Sequence, residues 1–240
     1  MARILRELPL PGLGSGGWPG SRQLCGFAIG LALPLAALHA FGLLANLDAS
    51  RATPVLLGAL LGALAADGLT GLVHWACDTW GDERTRWLGP GLIRAFREHH
   101  HDPRAMLRHD WIEVNREPGV AAAAALLGLS LPLAQRALAA HPGVHGFVLA
   151  FIVYGAAANQ LHRWAHADAP PRWVRGLQHW GMILSPERHA LHHRAPRTSA
   201  YCISTGWLNP ALDRLGFWRG LERAITRVTG VRARRGAANG

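Results

Sequence analysis

Four apolar stretches dominate this chain and constrain its fold more than any other feature. They run from about Leu24 to Leu47, Pro54 to Trp75, Gly119 to Leu138 and Val144 to His162. A bilayer core about 30 Å thick takes roughly 20 helical residues to cross. Each stretch is close to that length, although Pro132, Gln135 and Arg136 shorten the clean part of the third. In a bilayer the backbone must satisfy its own hydrogen bonds, which these runs do as helices. The fold class expected is an all-α integral membrane protein with about four transmembrane helices.

Arginine placement orients these crossings. Segments 1–23, 76–118 and 163–240 carry 3, 7 and 13 Arg, against only Arg51 and Arg136 in the two remaining loops. The positive-inside rule then puts both termini in the cytoplasm. All ten Trp fall in the same three segments or at their membrane edge, which reads as a one-sided aromatic belt. Residues 170–184 (PPRWVRGLQHWGMIL) and 212–229 read as amphipathic helices lying on the membrane surface. Residues 1–23 are Pro/Gly-rich and read as a flexible tail, 24–229 as the membrane domain, and 230–240 as a basic tail. The first 23 residues do not read as a cleavable signal peptide.

The net charge of +10 comes from 25 basic residues, all arginine. The lack of lysine, with much Ala and Gly, suggests a high-GC bacterial genome and hence the bacterial cytoplasmic membrane. The apolar runs make an anionic membrane surface, rather than nucleic acid, the expected partner of this charge. Three widely spaced cysteines (Cys25, Cys77, Cys202) give neither a disulfide framework nor a zinc knuckle. Cys77 lies between His74 and Asp78 but points about 90° from them on a helix.

Histidines carry the chemistry. They recur as His74 with Asp78, His99 and His100, His109, His162 with His166, and His189 with His192 and His193. Several pairs have the i, i+3 or i+4 spacing of one helical face. The oriented topology places eleven of the fourteen histidines on the cytoplasmic side, leaving His39 in the first crossing and His141 and His145 on an outer loop. One compact site at the inner membrane face can therefore hold every pair. Adjacent His99 and His100 splay by about 100° on a helix, so one can bind a metal while the other serves a second metal or supports the ligands around the first, and His101 is a spare. Asp67 shares a helical face with His74 and Asp78. A carboxylate inside a membrane helix is costly, so Asp67 is expected to bind metal or, better, to orient a ligating imidazole.

Imidazole is the commonest transition-metal ligand. A zinc site takes four ligands, or three and a water. Eight or more histidines with nearby carboxylates exceed that and suit two irons with positions open to oxygen. The absence of an HExxH motif argues against a zinc hydrolase.

The stretches GLVHWACDTW, FREHHHDPRAMLRHDWIEVN, NQLHRWAH, PRWVRGLQHWGMILSPERHALHHR and YCISTGWLNPALDRLGFWRGLE resemble the lipid desaturase family that includes plasmanylethanolamine desaturase and the bacterial CarF protein. The resemblance covers roughly residues 55–228 and extends to plant relatives acting on phosphatidylglycerol. It implies a non-haem di-iron centre with metal ligands drawn from His74, Asp78, His99, His100, His109, His162, His166, His189, His192 and His193. Asp78 stands where other membrane desaturases carry a histidine. The implied reaction removes two hydrogens from C1 and C2 of the alkyl chain of a plasmanyl ethanolamine phospholipid, giving a plasmalogen and consuming O2 and two electrons. The chain has no flavin, nicotinamide or Fe–S fingerprint, so a separate electron donor protein, cytochrome b5-like or ferredoxin-like, is expected. Arg94, Arg97, Arg104, Arg108 and Arg194 are candidates to hold the lipid phosphate, with topology and surface charge alone as the other reading of each. The alternatives are an acyl-lipid desaturase with the same centre and a non-catalytic membrane regulator.

Overall fold

The computed structural model describes residues 22–80, 84–85 and 89–233. Most of the expected N-terminal tail, the last seven residues of the basic tail, Trp18 and Trp87 lie outside the described residues. Arg22 and Gln23, expected in the tail, already belong to the first helix. Every regular element among the described residues is a helix.

Three helices are long and apolar enough to cross a membrane: α1 (Arg22–Ala45), α2 (Ala49–Thr79) and α7 (Pro142–Ala165). The third expected crossing is broken. It forms α5 (Trp111–Leu129) and α6 (Pro132–Ala140), which qualify as a span only together and meet at 81°. Pro132 causes the break, because its ring cannot continue the α5 hydrogen-bond ladder and instead opens α6 at its first turn. The protein is thus a multi-pass membrane protein with three spans, or four when the bent pair counts as one.

Caps fix where these helices begin. Asp48 accepts from the backbone N–H of Ser50 and Arg51 at 2.8 and 3.0 Å and starts α2 six residues before Pro54. Asp110 caps α5 and forms a reciprocal capping box with Glu113. The α1 surface shows the solvent it meets: Leu24, Phe27, Leu33, Leu38, Phe41 and Leu44 are all more than 60% exposed. In a bilayer those side chains face lipid.

Helices α2 and α7 run parallel in close contact, because glycines remove the side chains between them. A Cβ on Gly58 would lie 2.0 Å from the Gly143 carbonyl oxygen, and one on Gly62 would lie 2.1 Å from that of Phe147. Paired in this register, the two helices deliver their C-termini to the same end of the bundle. Helix α1 runs the other way beside α5: Ile29 touches Gly119, and His39 reaches Leu126 and Ser130. Gly62→Ala is expected to force the α2 and α7 backbones apart and to cost about 1–3 kcal/mol by overpacking. Gly30→Ala, with open space around it, is expected to be neutral or slightly stabilising. Thermal unfolding of both variants in detergent checks this contrast.

Short helices close the end of the bundle where α2 and α7 finish: a π-helical turn (Gly89–Ile93), α3 (Arg94–His101), α4 (Ala105–Arg108), α8 (Arg172–His179), α9 (Pro186–His193), α10 (Asn209–Arg214) and α11 (Phe217–Thr229). Helix α8 is shorter than the expected 170–184 stretch. Gly181, at φ 69°, ends it, and Ile183 and Leu184 turn into the core. The expected 212–229 helix is split by Gly216 at φ 62° into α10 and α11. The tryptophans are not one belt either. Trp111, Trp173 and Trp180 are exposed, but Trp75 and Trp218 are buried against Tyr201 and Cys202.

Candidate metal centre

Helices α2, α3, α7 and α9 each carry histidines toward their C-terminal ends, at the same end of the bundle. Their imidazoles form two sets whose ligand atoms lie within 4.8 Å of one another: His99, His162, His166, His189 and His193, and His74, His99, His100 and His192. Helical geometry sorts them. On α9, His189 and His193 are four residues apart and face the first set, while His192 points to the second. On α3, His100 serves the second set and His99 belongs to both. Asp78 joins the second set, with Oδ2 at 3.4, 3.6 and 3.4 Å from Nε2 of His74, His100 and His192.

The donor atoms suit metal ions better than one another. In the first set Nε2 of His189 lies 2.9 Å from Nε2 of each of His162, His166 and His193. One imidazole nitrogen holds a single proton or a single lone pair, so it cannot satisfy three such neighbours by hydrogen bonding. Nε2 of His74, both ring nitrogens of His99 and both Asp78 oxygens are buried with no hydrogen-bond partner. Buried unsatisfied groups are costly, and here they converge on two points, as ligands of positive ions do.

A loop that sequence reasoning did not single out orients two of these imidazoles. His74 Nδ1 donates to the Tyr201 carbonyl at 3.1 Å, and His192 Nδ1 donates to the Ser199 carbonyl at 2.8 Å. Each bond fixes the tautomer and leaves Nε2 free for the centre. Asp67 anchors that loop. It is wholly buried, and it accepts the backbone N–H groups of Ser204, Thr205 and Gly206 on Oδ1 at 3.2, 2.7 and 2.9 Å and that of Leu208 on Oδ2 at 3.2 Å. The expectation that Asp67 orients an imidazole directly is therefore corrected: it touches none, and backbone carbonyls do the orienting. Asn209 braces the same loop through both polar atoms of Cys202's backbone. The signal in the sequence was YCISTGWLNP, whose working groups are peptide groups and thus invisible as side chains.

His109 lies outside both sets. The extended backbone at His109 and the Asp110 cap turn its ring outward, where Nδ1 meets Glu113 at 3.3 Å with the side chain 53% exposed. His101 is exposed and outside both sets. Cys77 packs with Ile93, Phe96 and Leu184 rather than with the histidines. His145, expected on a loop, sits buried in the first turn of α7, 3.2 Å from His39 at the far end of the bundle. Among the arginines proposed for phosphate, Arg97 donates to the Cys77 and Trp80 carbonyls, Arg104 pairs with Asp168 and Arg108 with Asp102. Arg94 and Arg194 are exposed.

Burial holds the imidazoles of His99, His100, His166, His189 and His193 neutral, with neighbouring imidazoles adding to the effect. His166, His193 and His100 are pushed down to about 4, about 3 and about 2, and His99 and His189 well below their ordinary value. Neutral imidazole is the metal-binding form. The same shifts set a pH dependence. Below about 6.5 the unfolded chain binds protons that the folded chain refuses, so stability falls as pH falls. Metal-free protein is expected to melt at lower temperature at pH 5.5 than at pH 7.5. A His166→Gln/His193→Gln double variant is expected to show a smaller difference in the same scan.

Comparison with known proteins gives a consistent result. Residues 63–236 match the lipid desaturase domain. The chain is 41% identical to plasmanylethanolamine desaturase 1 of Mus musculus over 184 residues, covering 75% of this chain and 68% of that protein. It is 42% identical to plasmanylethanolamine desaturase of Myxococcus xanthus, covering 72% of this chain and 60% of that one. It is 36% identical to the chloroplastic fatty acid desaturase 4 of Arabidopsis thaliana, covering 72% and 52%. The chain thus spans less than two thirds of the last two relatives. No solved structure matches. With its histidine sets gathered where two parallel membrane helices end, and with the matched domain containing all of them, this chain belongs to the lipid desaturase family.

Proposed function

We propose that this protein is an O2-dependent plasmanylethanolamine desaturase with a non-haem di-iron centre. The observation that carries the reading is the pair of converging ligand sets, one of histidines alone and one of histidines with Asp78, at the membrane-surface end of α2 and α7. The ligands are His162, His166, His189 and His193 for one iron, His74, His100, His192 and Asp78 for the other, and His99 for either or both. His109 has no place in this set. When bound, two irons supply oxygen chemistry strong enough to take hydrogen from an unactivated C–H bond, which acid–base side chains cannot do.

The protein's own residues supply orientation and depth. Helix α2 has 31 residues and is about 46 Å long at 1.5 Å per residue, which exceeds the roughly 30 Å hydrocarbon core. Its last turns, with His74 and Asp78, then sit near the headgroup level. C1 of a phospholipid's alkyl chain lies just below the glycerol, at that same depth. The Ser199 and Tyr201 carbonyls hold His192 and His74 in place, and burial of His74, His162 and His192 keeps bulk water from the ligands. Arginine distribution supports placing the site and both termini on the cytoplasmic side. Electrons come from a separate donor protein.

The test is expression in a host that supplies alkyl-ether phospholipid and oxygen, followed by lipid analysis. Acid-labile vinyl ether is expected, and His192→Ala is expected to abolish it. A new double bond in an acyl chain instead would favour the second reading, which the plant relative supports. No new double bond of either kind, with iron bound and donor present, would contradict the proposal.

A further inference from the structure

One row of aromatic rings leads away from the second histidine set and has no part in holding it. The Tyr201 ring lies 4.9 Å from His192 and 5.6 Å from His74, centre to centre. On its other side the indole of Trp218 lies at 5.0 Å. Beyond it come Trp75, 5.9 Å from Trp218, and Trp80, 4.6 Å from Trp75 and part-exposed. Tyr201 and Trp218 are 4% and 3% exposed. Tyrosine and tryptophan are the aromatic side chains that give up an electron most readily, and they occupy every position of this row. The Trp218 Nε1–H donates to Asp213 Oδ1 at 3.2 Å, so a proton acceptor is already bonded to the atom that becomes acidic when an indole is oxidised. Asp213 is held in place because it also accepts the Ala200 N–H at 3.1 Å.

We propose that Trp218, with Asp213 as its proton acceptor, donates one electron across Tyr201 to the histidine centre when oxygen reacts there without lipid. The inference rests on the oxygen-dependent reading above. In the step, the Trp218 indole loses one electron to the centre, and its Nε1 proton moves to Asp213, leaving a neutral indolyl radical and a neutral carboxylic acid. The centre's oxidising power falls by one equivalent. An electron from Trp75 and Trp80, replenished at the surface by a thiol or by the donor protein, restores the indole, and Asp213 returns the proton. The row is thus an outlet that spares the ligand imidazoles from oxidation during uncoupled oxygen activation.

The test uses the full chain in detergent, iron-loaded, reduced and mixed with O2 without ether lipid, then frozen at intervals for electron paramagnetic resonance. An organic radical is expected. Its signal narrows in protein grown on ring-deuterated tryptophan, disappears in Trp218→Phe and falls severalfold in Asp213→Asn. With lipid present, Trp218→Phe is expected to inactivate after severalfold fewer turnovers. The proposal is overturned if iron reoxidises without a radical, if deuterated tryptophan leaves the signal unchanged, or if Trp218→Phe retains it. If Trp218→Phe fails to fold, the labelled wild type still tests for a tryptophan radical, and its severalfold fall in Asp213→Asn ties that radical to Trp218, the indole bonded to Asp213. Vinyl-ether analysis with lipid present reads the desaturase activity separately, so a failed outlet and a failed desaturase assignment are told apart.

Discussion

Replacing His99 with alanine is expected to reduce vinyl-ether formation to background and bound iron from two per chain to fewer than one, while the protein still folds. His99 is the one residue shared by both ligand sets, so its loss weakens two sites at once. The folded state is expected to survive, because neither ring nitrogen of His99 has a hydrogen-bond partner. Its removal orphans no other polar group, and the cost is confined to packing around a small cavity. Metal content of monodisperse protein, lipid analysis and a melting curve check the three parts together. His101→Ala, two residues along and exposed on α3, is the control and is expected to change none of them.

Asp67→Ala is expected to do the reverse: to lose the fold first, and the metal as a consequence. Four backbone N–H groups lose their acceptor in a buried loop. Each unsatisfied buried donor costs about 1–3 kcal/mol. The sum approaches the whole stability of a typical domain, about 5–15 kcal/mol. Asp67→Asn keeps one oxygen for the three Oδ1 donors and opposes only the Leu208 N–H, so an intermediate melting temperature is expected. The yield and melting of the two variants, measured with their metal content, check the order of events. A stable Asp67→Ala protein that lacks iron would instead make Asp67 a direct contributor to the centre.

These two residues show what the sequence could and could not reveal. His74, Asp78, His162, His166, His189, His192 and His193 announce themselves because i, i+3 and i+4 spacing on a helix is a geometric statement. Arginine asymmetry then gathered them at one end. The division into two sets was half visible: the 100° between His99 and His100 separates them, but only the packing of α9 against α7 and α2 says which set each joins. His109 misled because it is adjacent to a helix cap, and cap geometry rather than ligand spacing decides its direction. Asp67 was legible as a costly buried charge, yet its partners are peptide N–H groups 137 to 141 residues away, which no side-chain pattern encodes. The third crossing is bent rather than straight for a local reason, since hydropathy averages over Pro132 while the backbone does not.

Metal analysis of the native protein tests the central claim most directly. Protein purified from iron-supplied cells, quantified for iron and zinc and examined by Mössbauer spectroscopy, is expected to hold two irons per chain in two distinguishable ligand environments, one of histidines alone and one including Asp78. One zinc per chain, or a single iron environment unaffected by Asp78→Ala, would contradict it.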